Sequence, residues 1–170
     1  MEATTAGRSA SEMPGLDLAE QKSWQSFLDA ALRLYATLNR RLSDSHELSL
    51  VDVRVLEMLD GSADGSARMR DLAETLLSLP SRLTRQVGRL EAQGLVRRCA
   101  SPDDRRGVMA IITDDGRAAL RQAMGTYAHN VRAHFLSPLS RAQLTSLGEN
   151  CGRISAALQV TEPAAKFGRM

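Results

Sequence analysis

The chain has 170 residues, 43% of them apolar but only 4% aromatic. That is enough for one core of ordinary size built from Leu, Ala, Val and Ile, a palette that suits helix packing better than a β-sandwich. The net charge of +2 does not by itself mark a polyanion partner, but residues 82–106 hold seven Arg against three acids, a local +4 that leaves −2 for the rest. Cys99 and Cys151 are isolated and lack the spacing of a metal site. No apolar run approaches the roughly 20 residues that span a bilayer. The chain therefore reads as cytoplasmic with reduced thiols, with no membrane partner, metal or cofactor.

The first residues, MEATTAGRSASEMPG, are small and polar, and residues 1–17 are expected to form a disordered arm. Over residues 18–46, Trp24, Leu28, Ala31, Tyr35, Leu38 and Leu42 recur with alternating spacings of four and three, the stripe of a long helix. Ser49-Leu50-Val51-Asp52 has the pattern of a capping box, and Val53, Leu56 and Leu59 follow on one face of a second helix ending at Asp60-Gly61. The segment SADGSA after it is expected to be a loop. Met69, Leu72, Ala73 and Leu76 mark a short helix, and Ser78-Leu79-Pro80-Ser81 a turn into the next one, since Pro is favoured in a first helical turn.

That next helix runs to about Gln93 and stops at Gly94. Leu83, Val87 and Leu90 form its apolar stripe. Arg82, Arg85, Gln86 and Arg89 recur at i, i+3, i+4 and i+7 on a separate face, with Ser81 and Thr84 near the start. Arg can hold guanine O6 and N7, and Gln can hold adenine, from the major groove. Ser81 and Thr84 suit phosphate, helped by backbone N–H groups at the helix start. An Arg-rich face taken alone is more often a solvated surface; the short helix before it, the Gly94 stop and the basic hairpin after it favour a reader of double-stranded DNA.

Leu95–Cys99 and Val108–Ile112 are short β-type runs joined by a polar loop, a hairpin whose tip carries Asp104, Arg105 and Arg106. Paired guanidinium groups there suit a narrow minor groove. Asp104 repels phosphate, so its expected role is to pair with Arg105 or Arg106 and stiffen the loop. Residues 114–160 then read as two more helices. One carries Leu120, Met124, Tyr127, Val131, His134 and Phe135 and ends at Ser137-Pro138; the other carries Leu144, Leu147, Cys151, Ile154 and Leu158. Residues 161–170 are expected to fray.

The order predicts a mainly α fold with a small β-hairpin wing: a winged helix-turn-helix over residues 48–113, flanked by N- and C-terminal dimerisation helices at 18–46 and 114–160. The outer stripes exceed what so small a domain buries alone, and a second copy is the economical cover.

The sequence resembles the MarR (multiple antibiotic resistance regulator) family of winged helix-turn-helix proteins over roughly Leu48 to Gly116. The resemblance rests on Leu48-Ser49 leading into Val55-Leu56, on Arg70-Asp71-Leu72-Ala73-Glu74, and on Leu83-Thr84-Arg85 through Leu90-Glu91-Ala92-Gln93-Gly94-Leu95-Val96. It continues in Pro102-Asp103-Asp104-Arg105-Arg106, Ile112-Thr113 and Gly116. It implies a homodimer with interlocked first and last helices, recognition helices in successive major grooves of a pseudo-palindromic operator, and wing roles for Asp104, Arg105 and Arg106. One departure is Gly88, where the family often carries Asp.

The resemblance also implies a possible small-molecule effector, commonly an aromatic or phenolic acid. Trp24, Phe27, Leu28 and Ala31, with Val55 and Leu59, are the candidate lining; ordinary dimer core is the plainer role for each. His46, His129 and His134 are candidate polar or pH-sensitive groups. Relatives that sense peroxide through a Cys in the first helix are not matched here, and Cys99, beside Arg97 and Arg98, is the better candidate thiol for a redox response. The expected function is a transcriptional repressor released by an effector. The alternatives are a winged-helix dimer serving as a protein-interaction module, or a thiol-responsive regulator. HExxH, GxSxG and a Gly-rich phosphate loop are all missing, which argues against an enzyme and leaves no candidate catalytic residue.

Overall fold

The computed structural model describes residues 13–101, 104 and 107–161, the last three as backbone only. The expected arm up to residue 12, the wing residues Arg105 and Arg106, and the tail beyond residue 161 lie outside the described residues. The elements in chain order are α1 (Leu18–His46), α2 (Leu50–Asp60), β1 (Ser66–Arg68), α3 (Met69–Thr75), α4 (Pro80–Ala92), β2 (Val96–Ala100), β3 (Val108–Ile112), α5 (Asp114–Val131), a π-helical turn (Arg132–Leu136) and α6 (Arg141–Thr161). No helix among the described residues is long and apolar enough to cross a membrane.

The chain divides into two compact units, residues 1–37 and 38–170. Within the described part of the first, Asp17 and Glu20 cap the start of α1 reciprocally. The Asp17 N–H donates to Glu20 Oε2 at 2.8 Å, and the Glu20 N–H to Asp17 Oδ1 at 2.9 Å. Trp24, Phe27, Leu28, Leu32 and Tyr35 share one side of the helix by their spacing and all are exposed.

The second unit holds the core. Leu42, Leu48, Val53, Val55, Leu56, Leu59, Leu72, Leu83, Val87 and Leu90 are buried together with Val96, Ala110 and Ile112 of the sheet and Leu120 and Ala123 of α5. Each such Leu or Val contributes about 1.5–3 kcal/mol relative to an exposed one. The stripes read from the sequence on α2, α3 and α4 are thus the faces that meet. On α6, Leu144 and Leu147 are half-buried, whereas Cys151, Ile154 and Leu158 are exposed.

The sheet is antiparallel, in the order β1-β3-β2. Its hairpin matches the sequence reading, shifted by one residue on the first strand. β1 does not: the segment read as a loop supplies a third strand, pairing Ser66 with Ile111, Ala67 with Ala110 and Arg68 with Met109. Three residues are too few to display an alternating pattern, and what makes them a strand is the open edge of β3 rather than their own sequence.

Two joints hold the sheet to the helices. Gly94 adopts the left-handed conformation (φ 76°), so that the Leu95 N–H reaches the Leu90 carbonyl at 2.9 Å and closes α4. Thr113 caps α5 by accepting from the Gly116 N–H at 3.0 Å, while its hydroxyl donates to the Gly94 carbonyl at 2.7 Å. A side chain at Gly116 would collide with the Leu95 carbonyl, so α5 can start this close to β2 only with glycine there. Farther on, the expected long helix changes pitch after Val131: the Ser137 N–H donates to the Arg132 carbonyl at 2.8 Å, a five-residue step, before the chain turns at Pro138.

Candidate nucleic-acid interface

α3 and α4 form a helix-turn-helix. Leu72 and Ala73 bury one side of α3. The chain then reverses through Leu77, which has a positive φ of 49°, and the Ser78 N–H closes the turn on the Ala73 carbonyl at 2.9 Å. Pro80 opens α4 with its φ already suited to a helix; the N-cap is Leu79, which has no side-chain oxygen to offer the helix start. Inside α4 the burial of Leu83, Val87 and Leu90 fixes the rotation of the helix, so Ser81, Arg82, Thr84 and Arg85 are turned outward and exposed. The Thr84 hydroxyl donates to the Pro80 carbonyl at 2.8 Å, which commits its proton and leaves it as an acceptor.

Gln86 and Arg89, read from the sequence with Arg82 and Arg85 as one face, have a different environment. Their partner is Asp52, the N3 residue of the α2 capping box, whose carboxylate is wholly buried. Asp52 Oδ2 accepts from the Ser49 N–H at 2.7 Å and from the Ser49 hydroxyl at 2.6 Å. Gln86 Nε2 donates to Asp52 Oδ1 at 2.5 Å and to Ser49 Oγ at 3.0 Å, and the Arg89 guanidinium pairs with Asp52 Oδ2. A buried carboxylate is costly unless its lone pairs are filled and its charge is met. Here α4 supplies both, and in doing so fastens to the start of α2.

The capping box was legible because its members lie three residues apart. Its tie to residues 34 and 37 positions later was not.

The second fastening joins α4 to the wing. Glu91 accepts from the Arg98 N–H at 2.9 Å and from Arg98 Nε at 2.8 Å, and its Oε2 lies 2.6 Å from Arg98 NH2. These bonds hold the Glu91 carboxyl below its ordinary range. Arg97, the next residue along β2, is exposed. At the wing base the Ser101 N–H donates to the Gly107 carbonyl and the Gly107 N–H to the Asp104 carbonyl, both at 2.9 Å. Asp104 is exposed, but its expected pairing falls on Arg105 and Arg106, outside the described residues.

The candidate effector residues are placed as follows. Val55 and Leu59 are wholly buried in the core of the second unit, with no surface to offer. In the first unit, Trp24, Phe27, Leu28 and Ala31 are exposed, and the Trp24 and Phe27 rings lie 6.0 Å apart, centre to centre. His46 Nε2 shares a hydrogen bond of 2.7 Å with the Thr126 hydroxyl, while His129 and His134 are exposed. Cys99 is half-buried in β2 and Cys151 exposed on α6.

Three packed helices, a sheet of three short strands and an outward basic helix face define a winged helix-turn-helix protein. The MarR family model matches residues 46–107. Among solved structures, the chain is similar to AbsC, a MarR family transcriptional regulator from Streptomyces coelicolor. The match has 30% identity and a TM-score of 0.80, and covers 88% of this chain and all of AbsC. It is similar also to Sco3205, a MarR family regulator from the same organism solved in complex with DNA. There the identity is 33% and the TM-score 0.82, over 91% of this chain and 96% of the other. The transcriptional regulator BldR from Sulfolobus solfataricus matches at 27% identity and a TM-score of 0.71, over 84% and 99%. No curated protein sequence matches. The chain belongs to the MarR family of transcriptional regulators, whose members are not enzymes.

Proposed function

We propose that two copies of this chain bind a pseudo-palindromic operator in double-stranded DNA and repress transcription by occupying it. The observation that carries this reading is the outward face of α4. Arg82 and Arg85 are exposed there, and no hydrogen bond or ion pair with another described residue engages either side chain. The DNA complex of Sco3205, a third identical to this chain, supports the same assignment. In this reading Arg82 and Arg85 contact base edges, Ser81 and Thr84 lie against phosphate, the Thr84 hydroxyl exchanging the Pro80 carbonyl for a phosphate oxygen, and Arg105 and Arg106 enter the neighbouring minor groove. Gln86 and Arg89 act from behind, holding α4 to α2.

Residues 48–113 form the DNA-binding lobe, and residues 18–46 and 114–160 join the two copies. The exposed apolar side of α1 and the exposed Ile154 and Leu158 of α6 are the surfaces a second copy would cover. Release by a small aromatic or phenolic acid draws on the exposed Trp24–Phe27 pair with Leu28 and Ala31, while the buried Val55 and Leu59 stay in the core. Binding to chromosomal DNA places the protein in the cytoplasm.

The test is direct. Purified protein should run as a dimer by light scattering. It should protect two half-sites about one helical turn apart in the intergenic DNA beside its gene, and lower expression from a reporter carrying that segment. A monomer, or equal indifference to every duplex at low salt, would refute the reading.

A further inference from the structure

Two leucines at the entrance to α4 contradict the chemistry of their own positions. Leu77 has a positive φ of 49°, a conformation that glycine takes freely and a leucine only under strain. Leu79 is the N-cap, where Ser, Thr, Asp or Asn would satisfy the helix start and leucine is among the poorest residues. Neither is compensated by burial, since Leu77 is 91% and Leu79 62% exposed. A single exposed leucine needs no explanation. Two of them, each adding a backbone or capping cost and separated only by Ser78, are a local violation of the kind that collects at functional sites.

They stand immediately before Pro80, Ser81 and Arg82, at the end of α4 that carries the exposed arginines assigned above to base edges. Major-groove edges present one apolar group, the C5-methyl of thymine, which is read by aliphatic contact. We infer that Leu77 and Leu79 are specificity residues that pack against thymine methyl groups in each half-site. The inference rests on the DNA-binding reading and extends it. The arginines select guanine, and the leucines select thymine next to it.

Replacing thymine by deoxyuridine removes that methyl and nothing else from the groove. The operator is first selected from random duplexes by the full-length protein, and its thymines are then exchanged one at a time in anisotropy titrations. The wild-type protein should lose roughly fourfold in affinity at one or two thymines of each half-site, the worth of one buried methyl-sized group.

Leu77→Gly relieves the strained backbone and Leu79→Ser supplies the missing cap, so both variants should melt at or above the wild-type temperature. Each should nevertheless bind the thymine and deoxyuridine duplexes alike at the position it reads. A wild-type protein blind to every exchange, or variants that keep the full thymine preference, would overturn the inference while leaving operator binding intact. Variants that change only the oligomeric state would overturn it too, by assigning the leucines to a protein contact. Failure to select any duplex would refute the DNA-binding reading beneath it.

Discussion

The two ends of α4 present the same residue types to different masters. Near the N-terminus, Arg82 and Arg85 project from an exposed face; Gln86, the next residue, and Arg89, one turn after Arg85, reach a buried carboxylate. Rotation explains only part of the difference. Successive residues turn about 100°, so Arg85 lies opposite the buried Leu83–Val87–Leu90 stripe and Gln86 beside it, but Arg82 and Arg89, seven residues apart, point nearly the same way and differ in their place along the axis, where Arg89 meets Asp52 of α2. A reading helix needs both arrangements. A guanidinium free to bond a base is useful only if the helix carrying it is held still, and a hydrogen-bonded carboxylate shared with α2 is one way to hold it.

The sharpest way to break this comparison is to exchange the expected losses. Arg89→Ala should remove the cation from the buried Asp52 and cost about 2–3 kcal/mol of folding stability, seen as a lower urea midpoint. Arg85→Ala should leave stability within about 0.5 kcal/mol yet cost roughly 1–3 kcal/mol on the selected operator and relax base preference. If Arg85→Ala destabilises the fold and Arg89→Ala does not, the division of α4 is wrong. Uniform weakening of Arg85→Ala on all sequences would reassign that residue to phosphate.

Gly88 sharpens the comparison from the other side. A Cβ built there meets nothing within 4 Å, so no neighbour in the fold requires the glycine. Gly88→Ala should therefore raise stability by about 1 kcal/mol, the ordinary helix-interior difference. A lower melting temperature would show that the half-buried Gly88 meets a neighbour the open space around it does not account for.

The smallest effect concerns the α4–wing clasp. Arg98 holds the Glu91 carboxyl below its usual range, so the clasp contributes stability above the unfolded-state value and loses it as pH falls through the depressed folded one. Both groups meet solvent, so the gain is modest. Arg98→Ala should narrow the wild-type advantage only below about pH 5; an advantage that persists undiminished under acid would place the stabilisation elsewhere than in the carboxylate.

Much of this molecule is local, and local features were readable. The periodic stripes gave the helices, because burial of one face every 3.6 residues leaves a trace in any sequence. Ser49 with Asp52, Pro80 and Gly94 marked helix ends, since caps and the left-handed stop are chosen within a few residues. Arg82 and Arg85 fall off the apolar stripe of α4 by spacing alone, which sets them outward. Only the tertiary structure decided what depends on distant partners. It made Ser66–Arg68 a strand by offering it the edge of β3, and it turned Asp52 from a cap into the anchor of α4. It separated Gln86 and Arg89 from the arginines they match in spacing, and it left Leu77 and Leu79 bare. Spacing along a helix assigns a direction to a side chain, but which atoms wait in that direction is set by the packing of segments far apart in the chain.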